Sequence, residues 1–486
     1  MATHDYVIAN ASGAAVRTDL NNSLAAIVTN NSNATAPATT YPYQWWADTT
    51  ANQLKLRNSD NNAWIVIREL DGTMSSVTLK NSTEEDTDGG RESSLTFEGL
   101  QSGGEVSTLA QLEASHDGTA DDEKGKLVIS TNDGSDGASP TAALTISSDQ
   151  TVAVADNLTV NGNQYPTAGA LSSRNKLING AMVHDQRNAG TAVTHTGSAN
   201  LYVLDRWACN STGTPQFSVQ RVADGPTGFT YSSKLTTTTS GTPAANDSSY
   251  YIQYIEGNNV ADLEFGTAGA KTVTVSFYVK SSLTGTFGGA LKNGATNRAY
   301  PFSYTISSAS TWEYKTVTIA GDTSGTWATD NTIGMGLAFD TGSGSNNKGT
   351  AGAWAATADL GVTSGVNLVE TASATWQITG VQLEIGTKAT PFEHRNYGDE
   401  LARCQRYYET SGGTGGDAVL LARPDTADAG ADSVIYCVQK SKVPTVVLTN
   451  KNNTATVANS TTNGIGVVFS GNVAYAECGY TADAEL

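Results

Sequence analysis

Between Gly380 and Thr410 the chain changes character. The stretch GVQLEIGTKATPFEHRNYGDELARCQRYYET gathers Glu384, Glu393, Arg395, Asp399, Glu400, Arg403, Arg406 and Glu409, with Tyr407 and Tyr408 behind them, in a chain otherwise dominated by small and polar residues. Carboxylates beside arginines are the raw material of general acid–base chemistry, and a glycosidase in particular needs two carboxylates across a sugar. Sequence alone pairs none of them. The five histidines, His4, His116, His184, His195 and His394, have no spacing that proposes a triad. No phosphate-binding glycine loop, zinc spacing or G-x-S-x-G nucleophile is present. The alternative to catalysis is a joint. GDELARCQRYYET is the strongest helical pattern of the second half, with Asp399 as N-cap and Leu401, Cys404 and Tyr408 on one face. Flanked by strand patterns, it reads as a connector helix.

The elements that would position such residues follow from composition and periodicity. The 486 residues carry 28 basic and 47 acidic side chains, a net charge of −19. That balance argues against nucleic acid and anionic membranes, which are held by cationic side chains. No apolar run approaches the ~20 residues of a membrane span, and the N-terminus has no secretory pattern. Cys209, Cys404, Cys437 and Cys478 are scattered, so free buried thiols are expected, with a Cys437–Cys478 disulfide as the alternative. Leu, Ile, Val and Phe together fall just under the ~20% at which a single core becomes hard to build. Regular strand patterns argue against disorder, so several chains sharing their cores is the expectation.

Residues 1–72 form a first unit. Val16, Leu20, Leu24, Ile27 and Val28 fall at helical spacing, and three short strands follow near Gln44–Ala47, Gln53–Arg57 and Ala63–Arg68. Trp45, Trp46 and Trp64 supply either a small core or a docking surface. Residues 73–173 alternate brief apolar runs (SVTLK, SLTFEG, KLVIS, ALTIS, LTVNG) with acidic turns. From Glu84 to Asp156 there are 16 acidic and 3 basic side chains, net −13. An interleaved three-chain β shaft fits this pattern. The Asp-rich turns lack calcium-loop spacing, so solvated turns are expected and no cofactor or metal. Residues 174–395 hold the clearest alternation: Val273, Val275, Phe277 and Val279 against Thr272, Thr274, Ser276 and Tyr278. Around Gly380 the apolar phase shifts by one residue, which predicts a β-bulge. A sandwich or jelly roll is the expected fold. Residues 396–410 are the connector helix, and 411–486 a small C-terminal β domain behind the SGGTGG linker. Its strands are expected near Ala418–Ala422, Ser433–Gln439, Thr445–Thr449, Gly466–Ser470 and Val473–Tyr480.

Five stretches resemble tail-fibre proteins of bacteriophages: YQWWADTTANQLKLRNSDNNAWIVIRELDG, the acidic segment LEASHDGTADDEKGKLVISTNDGSDGASPTAALTISSDQTVAVADNLTVNG, RNKLINGAMVHDQRNAG with YVLDRW, TPFEHRNYGDELARCQRYYET, and YTADAEL. The first is especially similar to fibres of marine phages that infect cyanobacteria. The resemblance implies a mainly β, elongated, modular homotrimer in the virion, made in the host cytoplasm. Its N-terminal adaptor would meet tail adaptor or nozzle proteins, with Trp45, Trp46 and Trp64 as docking candidates. The 174–395 module would be jelly-roll and carbohydrate-binding-like, with a host surface glycan or lipopolysaccharide as partner. No catalytic residues are implied, no nucleic acid and no membrane insertion. A polysaccharide-degrading tailspike and a fibrous decoration of tail or capsid are the competing functions.

Sugars present apolar C–H faces that stack on aromatics, while their hydroxyls pair with amides and carboxylates. Strand tryptophans Trp207, Trp312 and Trp376 alternate into a core. Glycan candidates are therefore loop or loop-flanking aromatics: Trp354 in FDTGSGSNNKGTAGAWAATADLG, Trp327 after DTSG, and Tyr250 and Tyr251 after SGTPAANDSS.

Overall fold

The computed structural model describes residues 7–8, 10–71, 78–134, 139–155, 159–160, 163–164, 172–197, 199–412, 419–422, 430–449, 454–470 and 476–486. The chain divides into two compact units, Met1–Asp156 and Asn157–Leu486. SVTLK, LTVNG, most of the SGGTGG linker and the starts of the strands expected at 418 and 473 lie wholly or partly outside the described residues.

In the first unit, helix α1 (Gly13–Val28) starts where Ser12 caps the backbone N–H of Ala15. Its apolar stripe forms as expected and stays open: Leu20, Leu24, Ile27 and Val28 are exposed, and the buried positions are Ser23 and Ala26. Strands β1 (Trp45–Asp48), β2 (Gln53–Arg57) and β3 (Trp64–Glu69) make a three-stranded antiparallel meander.

A five-stranded antiparallel meander follows: β4 (Ser93–Leu100), β5 (Val106–His116), β6 (Gly125–Thr131), β7 (Thr141–Ile146) and β8 (Val152–Val154). These strands pair within one chain, in sequence order, where interleaving between chains was expected. Register places Leu95, Leu112, Ile129, Leu144 and Val154 opposite one another in a single row across all the strands. A neighbouring row holds Leu127, Ile146 and Val152, so one face is apolar by alternation. That face is uncovered among the described residues: Leu95 is 49% and Phe97 47% exposed. A short hairpin, β9 (Thr159–Val160) and β10 (Asn163–Gln164), opens the second unit.

The second unit is built on a sandwich. Its strands are β11 (Val193–Thr194), β12 (Leu201–Leu204), β13 (Trp207–Ser211), β14 (Gln216–Val222), β15 (Ser232–Thr239), β16 (Ser249–Glu256), β17 (Val273–Ser281), β18 (Gly285–Asn293), β19 (Ala299–Ile306), β20 (Glu313–Ile319) and β21 (Ile333–Asp340). The short parallel pair β22 (Lys348–Gly349) and β23 (Gly361–Val362) precedes β24 (Thr375–Ile385). One six-stranded sheet runs β11-β14-β15-β24-β17-β20 and the other β12-β13-β16-β21-β18-β19. Val273, Val275, Phe277 and Val279 point inward as expected and meet Tyr304 and Phe339 of the facing sheet, together with Trp376. The other side of β17 was expected to be polar and open. Thr274 and Ser276 are buried instead, since the chain after β24 folds back and Thr274 donates to the Gly386 carbonyl at 2.9 Å. The predicted bulge is present: Gly380 and Val381 together oppose Phe277, and Gly380 takes φ +62°, which a side chain resists.

Helix α2 (Tyr397–Gln405) fills the connector position, capped one turn earlier than expected at Asn396, so that Asp399 sits in the first turn. Cys404 is buried against Ile178 and Tyr407, whereas Tyr408 has already left the helix in β25 (Tyr408–Thr410). Strands β26 (Leu420–Ala422), β27 (Gly430–Ile435), β28 (Thr445–Thr449), β29 (Thr454–Ser460), β30 (Gly464–Ser470) and β31 (Ala476–Asp483) complete the chain around their own small core. The four cysteines form no disulfide with one another; Cys437 is exposed and the others are buried.

Candidate functional site

The outer face of the sheet containing β16 divides into a covered half and a partly covered half. Over β18 and β21 the chain between β21 and β24 lies directly on the sheet. Gly288 makes room for it, because a Cβ there would stand 2.7 Å from the Val362 nitrogen. Asp340 pairs with Lys348 at 3.2 Å beneath this cover. Lys292 is buried there too, and burial lowers its ammonium from the ordinary lysine value.

Over β12, β13 and β16 the face is only partly covered: the Tyr202 hydroxyl donates to the Leu486 carbonyl at 3.0 Å, and Tyr250 and Tyr254 stay half-exposed. Alternation along SYYIQYIE turns Tyr250, Ile252 and Tyr254 outward and Tyr251 inward. Register sets Ala208 between Tyr202 and Ile252. The three half-buried tyrosines Tyr202, Tyr250 and Tyr254 therefore pack on a floor of Ala208, Ile252 and Ala338, beside Leu360 of the covering chain. The Tyr250 hydroxyl donates to Asn200 Oδ1 at 2.8 Å, and Asn200 Nδ2 donates to the Tyr254 hydroxyl at 3.2 Å. Burial raises the Tyr250 and Tyr202 phenols well above their usual value, and the Tyr202 hydroxyl is committed to the Leu486 carbonyl. The result is a platform of aromatic rings with an exposed carboxamide held between two hydroxyls. It offers stacking surface and hydrogen bonds in one place.

The four glycan candidates end in three different places. Tyr250 is on this platform. Tyr251 is fully buried, stacked on Trp207 with ring centres 5.1 Å apart, and faces no solvent. Trp327 and Trp354 are brought together at 5.5 Å, in a second cluster with Phe265 and Tyr300. Their indole N–H groups donate to the Ser324 and Ala320 carbonyls at 3.2 and 2.7 Å. The rings meet edge to face, and both tryptophans pack against the sandwich core. Tyr202, Tyr254 and Asn200 were missed. The signal for Tyr254 was available, since it shares the phase of Tyr250 on the same strand.

The charged stretch is a joint. Glu384 accepts from the Thr390 N–H at 2.8 Å, the Thr390 hydroxyl at 2.7 Å and Gln382 Nε2 at 2.8 Å. Arg395 donates to the Leu177 carbonyl at 3.0 Å and pairs with Glu393 and Glu400 at 3.3 and 3.0 Å. Glu400 also accepts from the Asn179 N–H. Arg406 grips Glu256 through two nitrogens at 2.9 and 2.6 Å, and the Tyr407 hydroxyl adds a third bond at 2.7 Å. Burial works against the Glu256 charge, and the bonds from Arg406, Tyr407 and Asn258 outweigh it, holding the carboxyl down to about 2. Glu409 takes Lys440 at 2.6 Å and the Tyr480 hydroxyl at 2.7 Å. Beside the joint, Asn175, His184, His394, Arg395, Tyr397 and Glu400 line a cavity of about 210 Å³. His184 is buried there, and that burial lowers its imidazole below the ordinary value.

No family model and no curated protein matches the chain. Solved structures do. A CBM4 structure is 15% identical over 43% of this chain and 97% of its own, with a TM-score of 0.22. A family 11 carbohydrate-binding module from Clostridium thermocellum, in complex with a β-1,3-1,4-mixed-linked tetrasaccharide, is 14% identical over 41% of this chain and 100% of its own, at 0.21. A putative sugar binding protein from Bacteroides thetaiotaomicron is 11% identical over 44% of this chain and 100% of its own, at 0.25.

In the N-terminal meander, Trp46 is buried, Trp45 is 42% exposed, and Trp46 and Trp64 lie 5.3 Å apart. Lys55 and Arg57 cover the Trp46 and Trp64 rings at 4.8 and 5.2 Å. Of the three docking candidates, Trp45 presents the most ring to solvent.

Proposed function

We propose that this chain is a bacteriophage tail-fibre protein that attaches its particle to a host cell by binding a surface glycan or lipopolysaccharide. The observation that carries the binding part is the half-exposed platform of Tyr250, Tyr254 and Asn200, which combines apolar rings with an accessible amide on a rigid sheet. A pyranose stacks on the rings and exchanges hydrogen bonds with the carboxamide. The virion part rests on the fibre-like stretches along the sequence. On that basis the protein acts as a homotrimer, meets tail adaptor or nozzle proteins through residues 1–72, and places the second unit at the host surface.

The test uses the full chain on host cells and on their purified lipopolysaccharide. Tyr254→Ala is expected to weaken binding about tenfold, the equivalent of about 1.4 kcal/mol. Trp354→Ala is expected to lower the melting temperature and leave affinity unchanged. Unaltered binding by a folded Tyr254→Ala protein removes the platform as the site. Release of reducing ends from the glycan replaces attachment by cleavage.

A further inference from the structure

The opposite outer face of the sandwich, over β17, β20 and β24, carries aromatic rings that the platform does not use. We infer that it holds a second saccharide site, in which a linear, uncharged glycan lies along a groove on the sheet and seats one sugar in the cavity beside His184. The site rests on the glycan reading of the proposed function and is separate from the platform.

The bulge makes the groove. Phe277 points inward, so Ser276 and Tyr278 point outward, and register places Tyr314 opposite Tyr278 with ring centres 4.9 Å apart. Gly380 leaves space above β24, since a Cβ there would stand 2.7 Å from Phe229 Cζ and 3.1 Å from Tyr278 Cδ2. Phe229, from the loop after β14, takes that space and lies 5.4 Å from Tyr278. Phe392 and His394, from the chain after β24, close the far side at 5.1 and 5.2 Å from Phe229. These rings line a groove of about 460 Å³, within the ordinary range of ligand sites. Tyr314 is 45% exposed, and His394 is exposed too. The Tyr278 hydroxyl and the His394 ring nitrogens have no partner among the described residues.

The cavity of the joint lengthens the site. Phe392 and His394 line that cavity as well, so one wall stands between two hollows. His184 is buried in it, and its Nε2 has no partner; Arg395 Nε, in the same walls, has none either. The other His184 nitrogen bonds the Tyr397 backbone, which places the proton there and leaves Nε2 an acceptor. A buried acceptor and a buried donor around one hollow are an unfilled pair. A hydroxyl answers both, giving a hydrogen bond to one and accepting from the other. Rings for C–H faces and such a pair for hydroxyls describe a pyranose.

Charge and length narrow the ligand. Among the described residues no carboxylate, lysine or arginine lines the groove. In the cavity, Glu393 and Glu400 are already answered by Arg395 at 3.3 and 3.0 Å. Nothing there meets the carboxylate or phosphate of an acidic sugar, and a chain of net charge −19 repels one. Two hollows joined at one wall take a chain of sugars, where a single sugar fills one of them.

The test uses the full chain and host surface polysaccharide separated by anion exchange into neutral and acidic fractions, with circular dichroism as the check on folding. The wild type is expected to bind the neutral fraction. Tyr314→Ala and His394→Ala change exposed side chains, and each is expected to weaken that binding about three- to tenfold, the yield of one stacked ring. His184→Phe keeps a ring and removes the acceptor, and is expected to weaken it as well. Saturating neutral polysaccharide is expected to protect His394 from carbethoxylation by diethyl pyrocarbonate. Folded Tyr314→Ala and His394→Ala proteins that bind like the wild type, or an unprotected His394, overturn the second site and leave the platform standing. Unchanged binding by His184→Phe overturns the seated sugar. Binding to the acidic fraction alone, or to cells but to neither fraction, overturns the neutral ligand. Failure to bind cells or either fraction overturns the glycan reading itself.

Discussion

The β4–β8 sheet and the sandwich obey the same alternation and end in opposite conditions. In the sandwich, Phe277 alternates inward and meets the Tyr304 and Phe339 rings at 5.0 Å. In the meander, Phe97 alternates to one face just as faithfully and remains 47% exposed. Strand quality is therefore no measure of whether a sheet has found its partner. The sandwich supplies its second layer from the same chain; the meander has a finished edge-to-edge order and, among the described residues, no second layer.

The sharpest way to break this contrast is one substitution made twice. Phe277→Ala is expected to destabilise the second unit by roughly 3–5 kcal/mol in urea unfolding. Phe97→Ala, measured at dilutions where copies separate, is expected to change stability by less than about 1 kcal/mol. Equal costs would mean that Phe97 has a hidden partner within its own chain.

The joint gives the next effect in size. Glu256 is buried while Arg406 is a third exposed, so Glu256→Ala strands chiefly the buried Tyr407 hydroxyl and is expected to cost about 1–3 kcal/mol, read by the melting of the second unit. A change within experimental error would show that the C-terminal strands hold on without it. The same carboxyl sets a pH window. Its folded value of about 2 lies below the ordinary glutamate value, so the stabilisation is present above about pH 4.5 and is lost as pH falls through about 2. The second unit is expected to weaken across that interval, and Glu256→Gln to flatten the dependence. An unaltered acid profile in Glu256→Gln would assign the effect to other groups.

The smallest effect belongs to the acidic meander. With 16 acidic and 3 basic side chains between Glu84 and Asp156, added NaCl screens repulsion and is expected to raise the melting temperature of the first unit by a few degrees. A flat or falling curve would show that its charges are already compensated.

The sequence exposed the sandwich well because its strands alternate without interruption, and even the Gly380 bulge could be read as a phase shift. It exposed the meander poorly for the same reason inverted. The longest strand there, Val106–His116, is broken by a bulge that inserts Leu109 between Thr108 and Ala110, so Val106, Leu109 and Leu112 follow no period of two. Its neighbours were read as isolated short runs, so their pairing in sequence order within one chain was missed. At the platform, phase would have separated Tyr250 from Tyr251 and added Tyr254. Asn200 had no such signal, because it reaches the tyrosines from the segment before β12. The joint was legible as a change in composition, although its partners Asn175, Asn179 and Glu256 lie far away in sequence.

Arg206 is fully enclosed, lies 3.5 Å from the Tyr407 ring, and pairs with Glu485 across 279 positions. Arg187 reaches Asp483 across 296. During synthesis both arginines emerge long before the carboxylates that neutralise them. A nascent sandwich must hold two unanswered cations until the last strand arrives, so its folding finishes late and depends on long-range closure. An expression fragment ending near residue 410 would have every strand of the sandwich and keep both cations unanswered for good. The natural cut for biochemistry is therefore before residue 172, with everything after it kept.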